Sequence, residues 1–225
     1  IHESDRVHSN SFKSIAAIGD NQYLALRTSD EYEWCTTAEI IQDGQVIRQF
    51  ELEQKTYWPL LVVEDGFFVQ CYSDFSSSSL VKWNTTGDIV WKTDFSEPIK
   101  IARLLRADNQ YIAVGNTQSD KESENSGVMF GFDDQGKILW RYDSLEGEEF
   151  SDALINDQNQ IIIIGRVQGS WNMGFITAFD NEQRIWKTFC EEGWMHAIVV
   201  TDDYYLVAAQ KSRQFSSITL ELYQN

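Results

Sequence analysis

The sequence predicts an all-β fold, a five-bladed β-propeller of four-stranded antiparallel blades closed by its N-terminal segment. Two recurring markers with one period predict it, together with the lack of any segment of helical period. The first marker is a turn leading into an aliphatic run and a tryptophan. Its copies are Thr86-Gly87-Asp88-Ile89-Val90-Trp91, Gln135-Gly136-Lys137-Ile138-Leu139-Trp140 and Glu182-Gln183-Arg184-Ile185-Trp186. The tryptophans stand 49 and 46 residues apart, and a weaker copy, Asp43-Gly44-Gln45-Val46-Ile47, lacks the tryptophan. The second marker is a polar turn entering an aromatic or aliphatic strand. It recurs at Asp20-Asn21-Gln22-Tyr23, Asp65-Gly66-Phe67-Phe68, Asp108-Asn109-Gln110-Tyr111, Gln158-Asn159-Gln160-Ile161 and Asp202-Asp203-Tyr204-Tyr205, with spacings of 45, 43, 50 and 44.

Each unit holds short β-rich runs bounded by Gly, Asp and Asn, the pattern of strands joined by tight turns. The third unit shows the scheme: strands over 99–105, 110–115, 127–132 and 137–142. Four strands in 40–50 residues is a propeller blade. The blades are expected over 10–50, 57–95, 99–143, 149–189 and 193–225, forming a single domain. The last unit stops after its third strand, 217–223, and residues 1–9 precede the first strand of unit one. The segment is therefore expected to supply the missing outer strand, which would leave no open sheet edge between first and last blades.

Composition narrows the function classes. The 225 residues carry 18 Lys and Arg against 35 Asp and Glu, a formal charge of −17. Phosphate contacts need clustered cations, so nucleic acid is disfavoured, and anionic membranes with it. The longest aliphatic stretch, Ile161–Ile164, falls far short of the roughly 20 residues that span a bilayer. At 42% apolar and 13% aromatic the chain has the surface to build a core. Cys35, Cys71 and Cys190 form no CxxC and no even-numbered framework, so one disulfide is allowed and none is required. The opening Ile1-His2-Glu3 fits both a processed exported chain and a cytoplasmic one without its start, which leaves the compartment open.

The Gly-x-x-x-Trp ending, as in Phe132-Asp133-Asp134-Gln135-Gly136-Lys137-Ile138-Leu139-Trp140, resembles the repeats of quinoprotein-like, PQQ-type propellers. The likeness covers most of the chain as a repeat pattern. It implies that the segment ends a blade and that its tryptophan docks between blades. Enzymes of that family are longer and carry a quinone site, which this sequence does not show. The resemblance is thus to the non-enzymatic branch, and no cofactor is carried over.

Loop length separates the two faces of such a disc. The short turns, 19–22, 107–110 and 134–136, fall at one end. The long segments fall at the other: 29–37, 73–78, 116–125 and 167–172, with the interblade links 51–56, 143–149 and 190–193. Binding residues favour loops on a rigid scaffold, so the long-loop face is the candidate. It carries many carboxylates, Glu122 and Glu148 among them, and the aromatics Tyr32, Trp34, Phe75 and Trp171. Solvated acidic loops explain any single carboxylate, whereas large loop aromatics favour a binding role.

Alignment of the first strands gives a channel rim. Phe12, Tyr57 (with Trp58 beside it), Lys100, Phe150 and Trp194 form an outer ring; Ser14, Pro59, Ala102, Asp152 and His196 form an inner one. Asp152 and His196 could pair as acid and base, but polar residues lining a wet channel explain them better. Trp91, Trp140 and Trp186 read as packing between blades rather than ligand platforms, and Trp83 as either. Asn84-Thr85-Thr86 matches a glycosylation sequon in a tight turn and is read as chance. No nucleophile elbow, phosphate loop or metal-ligand spacing occurs. The expected function is a non-catalytic, monomeric module that presents an acidic, aromatic face to a basic protein, as an inhibitor, immunity-type or assembly protein. A glycan-binding propeller is the alternative, with a sugar hydrolase behind it.

Overall fold

The computed structural model describes residues 12–19, 21–28, 35–74, 77–119, 125–145, 147–168, 173–190, 194–201, 204–210 and 218–224. The expected strand over residues 1–9 lies outside them. The chain divides into two compact units, Ile1–Asp94 and Phe95–Asn225. Among the described residues every regular element is a strand, every pairing is antiparallel, and strands pair only with sequence neighbours within their own sheet.

The first unit holds β1 (Phe12–Gly19), β2 (Gln22–Thr28), β3 (Cys35–Gln42), β4 (Gln45–Val63), β5 (Gly66–Asp74), β6 (Ser77–Asn84) and β7 (Ile89–Asp94), hydrogen-bonded in that order. It is two four-stranded meanders sharing β4. The expected link at 51–56 is strand instead of loop. The reason is pairing: Glu51 stands opposite Thr37 on β3, and Thr56 stands opposite Cys35 on β3 and Cys71 on β5. Leu24, Leu26, Ala38 and Phe50 of the first meander pack with Phe67, Val69, Val81 and Trp83 of the second in one buried cluster.

The second unit holds three sheets. The first comprises β8 (Ile99–Ala107), β9 (Gln110–Thr117), β10 (Gly127–Phe132) and β11 (Ile138–Asp143); the second, β12 (Glu148–Ile155), β13 (Ile161–Val167), β14 (Met173–Asp180) and β15 (Gln183–Cys190). The last comprises β16 (Trp194–Val200), β17 (Tyr204–Gln210) and β18 (Ile218–Gln224). Middle strands are buried on both sides; β10 is buried at every residue and Ile161–Gly165 of β13 likewise. That is why they read as unbroken apolar runs. The last strands β7 and β11 alternate exposed and half-buried residues, as strands with one solvated side do.

Tight turns share one chemistry. Asn84, Asp133 and Asn156 each use a side-chain Oδ1 to accept two backbone N–H groups of the turn they open. The fourth residue of each turn, Gly87, Gly136 and Asn159, has φ of 92°, 80° and 61°, where glycine and asparagine are favoured. Asn84, the sequon residue, thus has its side chain engaged in the turn. Hydrogen bonds from Thr86 and Asn84 hold the exposed Asp88 carboxyl below its ordinary range. Cys71 and Cys190 are buried, and neither is joined in a disulfide.

Candidate functional site at the bulged ends of the first strands

Each first strand carries a bulge near its start, counting the part of β4 that pairs with β5 as the first strand of the second meander. Register shifts fall between Phe12 and Ser14, Tyr57 and Leu60, Ile101 and Arg103, Phe150 and Asp152, and Met195 and Ala197. A bulge inserts an unpaired residue and re-aims the side chains beyond it, and such features concentrate beside binding sites. Trp58 and Pro59 fall inside the shift on β4, and His196, exposed, is the bulged residue of β16.

In the second unit the bulges put Arg103 of β8 and Asp152 of β12 at one repeat position, just past the shift. They meet as a two-pronged pair: Nε to Oδ1 at 2.7 Å and Nη2 to Oδ2 at 3.1 Å. The Ala153 N–H donates to Oδ1 and the Ile198 N–H of β16 donates to Oδ2. Asp152 is buried while Arg103 is 46% exposed. One carboxylate therefore ties β8, β12 and β16 together. Its lone pairs are engaged by four donors, an anchor's arrangement rather than a base's.

A second pair of equivalent positions follows the glycines of Gly115-Asn116 and Gly165-Arg166, and both side chains reach onto the next sheet. Asn116 clasps the Phe150 backbone, donating Nδ2 to its carbonyl (2.8 Å) and accepting its N–H (2.7 Å). Arg166 lies over the Trp194 ring at 4.2 Å and donates Nε to Glu149, which also accepts from Gln168 and Asn125. Trp194, half-buried, is thus a platform backed by a fixed cation. The ring of Phe150, 1% exposed, packs on Gly127, where a Cβ would stand 2.7 Å from it.

Glu148 is a buried carboxylate, paired with Arg184 and Lys187 of β15. Burial pushes its pKa upward, but the hydrogen bonds from Arg184 and Lys187 prevail and hold it below the ordinary value. Burial is also the main cause that pushes Lys187 down, against the pull of Glu148. Arg184 in turn lies over Tyr142 and Phe179. Exposed carboxylates are not confined to the long-loop end: Asp43, Glu64, Asp88, Asp108, Asp134, Asp157 and Glu182 lie in or beside the short turns.

The remaining expected residues are placed as follows. Phe12 is 52% exposed with the Arg27 guanidinium over its ring, and Lys100 is exposed on β8. Tyr57 belongs to β4, and the side chains of Tyr57 and Trp58 lie outside the described ones, as do Tyr32, Trp34, Phe75, Glu122 and Trp171. Trp140 packs against the core of the second unit, Trp91 meets Phe68 edge-on, and Trp186 is 36% exposed. Trp83 is buried and stacks on Phe67. Among the described residues no three His, Cys, Asp or Glu side chains converge as a metal-binding set. Asn116 and Arg166 share a repeat position counted straight from the turn, whereas that of Arg103 and Asp152 emerges only once the bulges correct the alignment.

No protein-family model matches the sequence, and no curated protein matches it. Solved structures do. An acylaminoacyl peptidase of Pyrococcus horikoshii aligns with a TM-score of 0.64 at 9% identity over 95% of this chain and 38% of its own length. A Bacteroides caccae protein of unknown function aligns at 0.55 and 10% identity, over 92% of this chain and 74% of that one. A cobalt-substituted Synechocystis ACO aligns at 0.52 and 11%, over 94% of this chain and 59% of that one. This chain thus spans well under half the length of the peptidase. The likenesses concern the fold alone, which is all-β and propeller-like.

Proposed function

We infer that the chain is a five-bladed propeller of PQQ-type repeats, closed by residues 1–9, that works as a non-catalytic protein-binding module. It offers an acidic, aromatic surface to a basic protein. The fold reading is supported by five bulged first strands at one repeat position. Removing residues 1–9 then lowers the melting temperature sharply; an unchanged melt removes the closure and leaves the repeat standing.

One observation carries the binding reading. Glu39, Glu148, Glu149 and Asp152 are buried, and each is ion-paired within its own unit. Together they occupy Arg27, Arg103, Arg166, Arg184 and Lys187, five of the 18 cations. Among the described residues the buried carboxylates are thus neutralised internally, and the excess of acids over bases falls on the rest of the chain. A field of one sign speeds encounter with a basic partner and is screened by salt.

The test is capture from native extract on immobilised protein at about 50 mM and about 500 mM salt, a span over which the Debye length shrinks about threefold. Wild type retains a basic protein only at low salt. A triple variant, Trp34→Ala, Glu122→Gln and Trp171→Ala, retains at least about tenfold less, as expected when interface anchors are removed. Retention that ignores both salt and the variant overturns the reading.

A further inference from the structure

The first unit contains a cavity of about 330 Å³ where its two meanders meet near the short turns, at the lower end of the size range of small-molecule sites. Its position in the repeat explains it. In the second unit Trp140 stands opposite Gly131 on the adjacent strand, and its indole N–H donates to Gln110 Oε1 at 2.8 Å. In the first unit that repeat position is Arg48, opposite Ile40, and the glutamine position is Gln22. Arg48, Ile40 and Gln22 all line the cavity. The space thus corresponds to the one that an indole fills in the second unit.

The lining suits a specific chemistry. Leu24, Ile40, Val62 and Phe67 give apolar walls. Behind Phe67, the buried indole N–H of Trp83 has no hydrogen-bond acceptor among the described residues. Gln22 donates its Nε2 to Gln42, which leaves its Oε1 for an incoming donor, as Gln110 serves Trp140. Arg48 is held by a bond from Nη1 to the Thr85 carbonyl at 2.8 Å and by the ring of Phe50, which leaves the Nε–Nη2 edge of its fork for a carboxylate. Glu64, exposed, also lines the cavity and supplies the opposite charge.

We propose that this cavity binds a free indole amino acid. The indole enters between the apolar walls with its N–H on Gln22, the α-carboxylate sits on Arg48 and the α-ammonium faces Glu64. A zwitterion has no net charge, so the chain's −17 does not repel it as it would an aromatic anion.

Calorimetry or ligand-observed NMR with L-tryptophan tests the proposal. Wild type shows saturable binding, and N-acetyl-tryptophanamide, which keeps the indole and loses both charges, binds at least about tenfold more weakly, as the loss of a charge-assisted pair requires. Arg48→Trp fills the space with the repeat's own residue and abolishes binding. Should that variant fail to fold, Val62→Phe narrows the cavity from the facing wall and lowers affinity in the same way. Saturable binding left unchanged by either folded variant overturns the site, as does the absence of binding to wild type. Equal binding of the blocked amide overturns the amino-acid assignment and points to a tryptophan side chain presented by a peptide.

Discussion

Two junctions built on the same repeat carry different side chains at equivalent positions. In the second unit Trp140 lies across Gly131, hydrogen-bonded to Gln110, and it packs against the same core as Tyr142 and Phe179. Glu148, Arg184 and Lys187 are set beside those rings as an ion cluster. In the first unit the same backbone carries Arg48 across Ile40, with Phe50 at the Tyr142 position, and a cavity stands beside it. The strand register holds in both. A meander repeat is therefore specified by turns and pairing, while the density of its junctions depends on what fills one position.

The second-unit junction breaks most severely through its ion cluster. Glu148→Ala leaves Arg184 and Lys187 confronting each other, and removing one partner of a buried pair costs about 3–5 kcal/mol. Urea unfolding followed through tryptophan fluorescence measures it. The pH dependence carries a defined sign. Glu148 has a folded pKa held below the unfolded one, so its contribution is fully present above the ordinary carboxylate value of about 4.3 and is lost as pH falls below it. Lys187 is held below its ordinary value, mainly by burial, so its charge costs stability at neutral pH and the cost eases as pH rises toward about 10. Glu148→Gln removes the acid-limb contribution; an acid limb identical to wild type contradicts the assignment.

The tryptophan itself comes next. Trp140→Ala costs about 2–4 kcal/mol, allowing for its half-buried position. Gly131→Ala acts from beneath, because a Cβ there would lie 2.2 Å from the indole nitrogen. The two changes in one chain fall short of the sum of the single effects, since each acts through the same ring.

Arg48→Trp tests the first-unit junction in the opposite direction. Filling the cavity raises stability by about 1 kcal/mol, in the range of cavity-filling changes. Trp91 already stands opposite a long side chain, Lys82, so Ile40 is no bar to an indole there. A lower melting temperature would show that the two junctions are not interchangeable. The smallest effect concerns Cys71, buried in the same core cluster but outside the cavity lining. Burial pushes its thiol up to about 12. Alkylation at pH 8 then proceeds only on unfolding, because the reactive thiolate is not available. Fast labelling of the native protein would mean that the cavity reaches further than its walls.

Much of the fold was legible. The strands of the third unit were expected within two residues of their observed ends, because Gly, Asn and Asp at the turns act locally through side-chain bonds and positive φ. The link at 51–56 was not legible, since a strand that serves two partners looks like any polar segment between apolar runs. The alignment of the first strands was legible in part. Phe150, Asp152 and Trp194 do lie at the bulged ends of their strands, but counting residues from the turn shifts the blades by one wherever the ring skips from Lys100 to Ile101 or from Trp194 to Met195. Arg103 was missed for that reason. Glu148 reads as one more loop carboxylate because the residues that bury it, Arg184 and Lys187, lie over thirty positions away.

The sequence by itself determined the class of fold, since strand period and turn chemistry are encoded by neighbours along the chain. It also determined the sign of the exterior, since 35 acids against 18 bases cannot be balanced by any arrangement. Only the tertiary structure decided which charges are interior. Desolvation and ion pairing join residues distant in sequence, as Asp152 joins Arg103 and the Ile198 N–H. It decided likewise that Arg48 in a tryptophan position borders a cavity, because packing density depends on the facing strands and not on the residue alone.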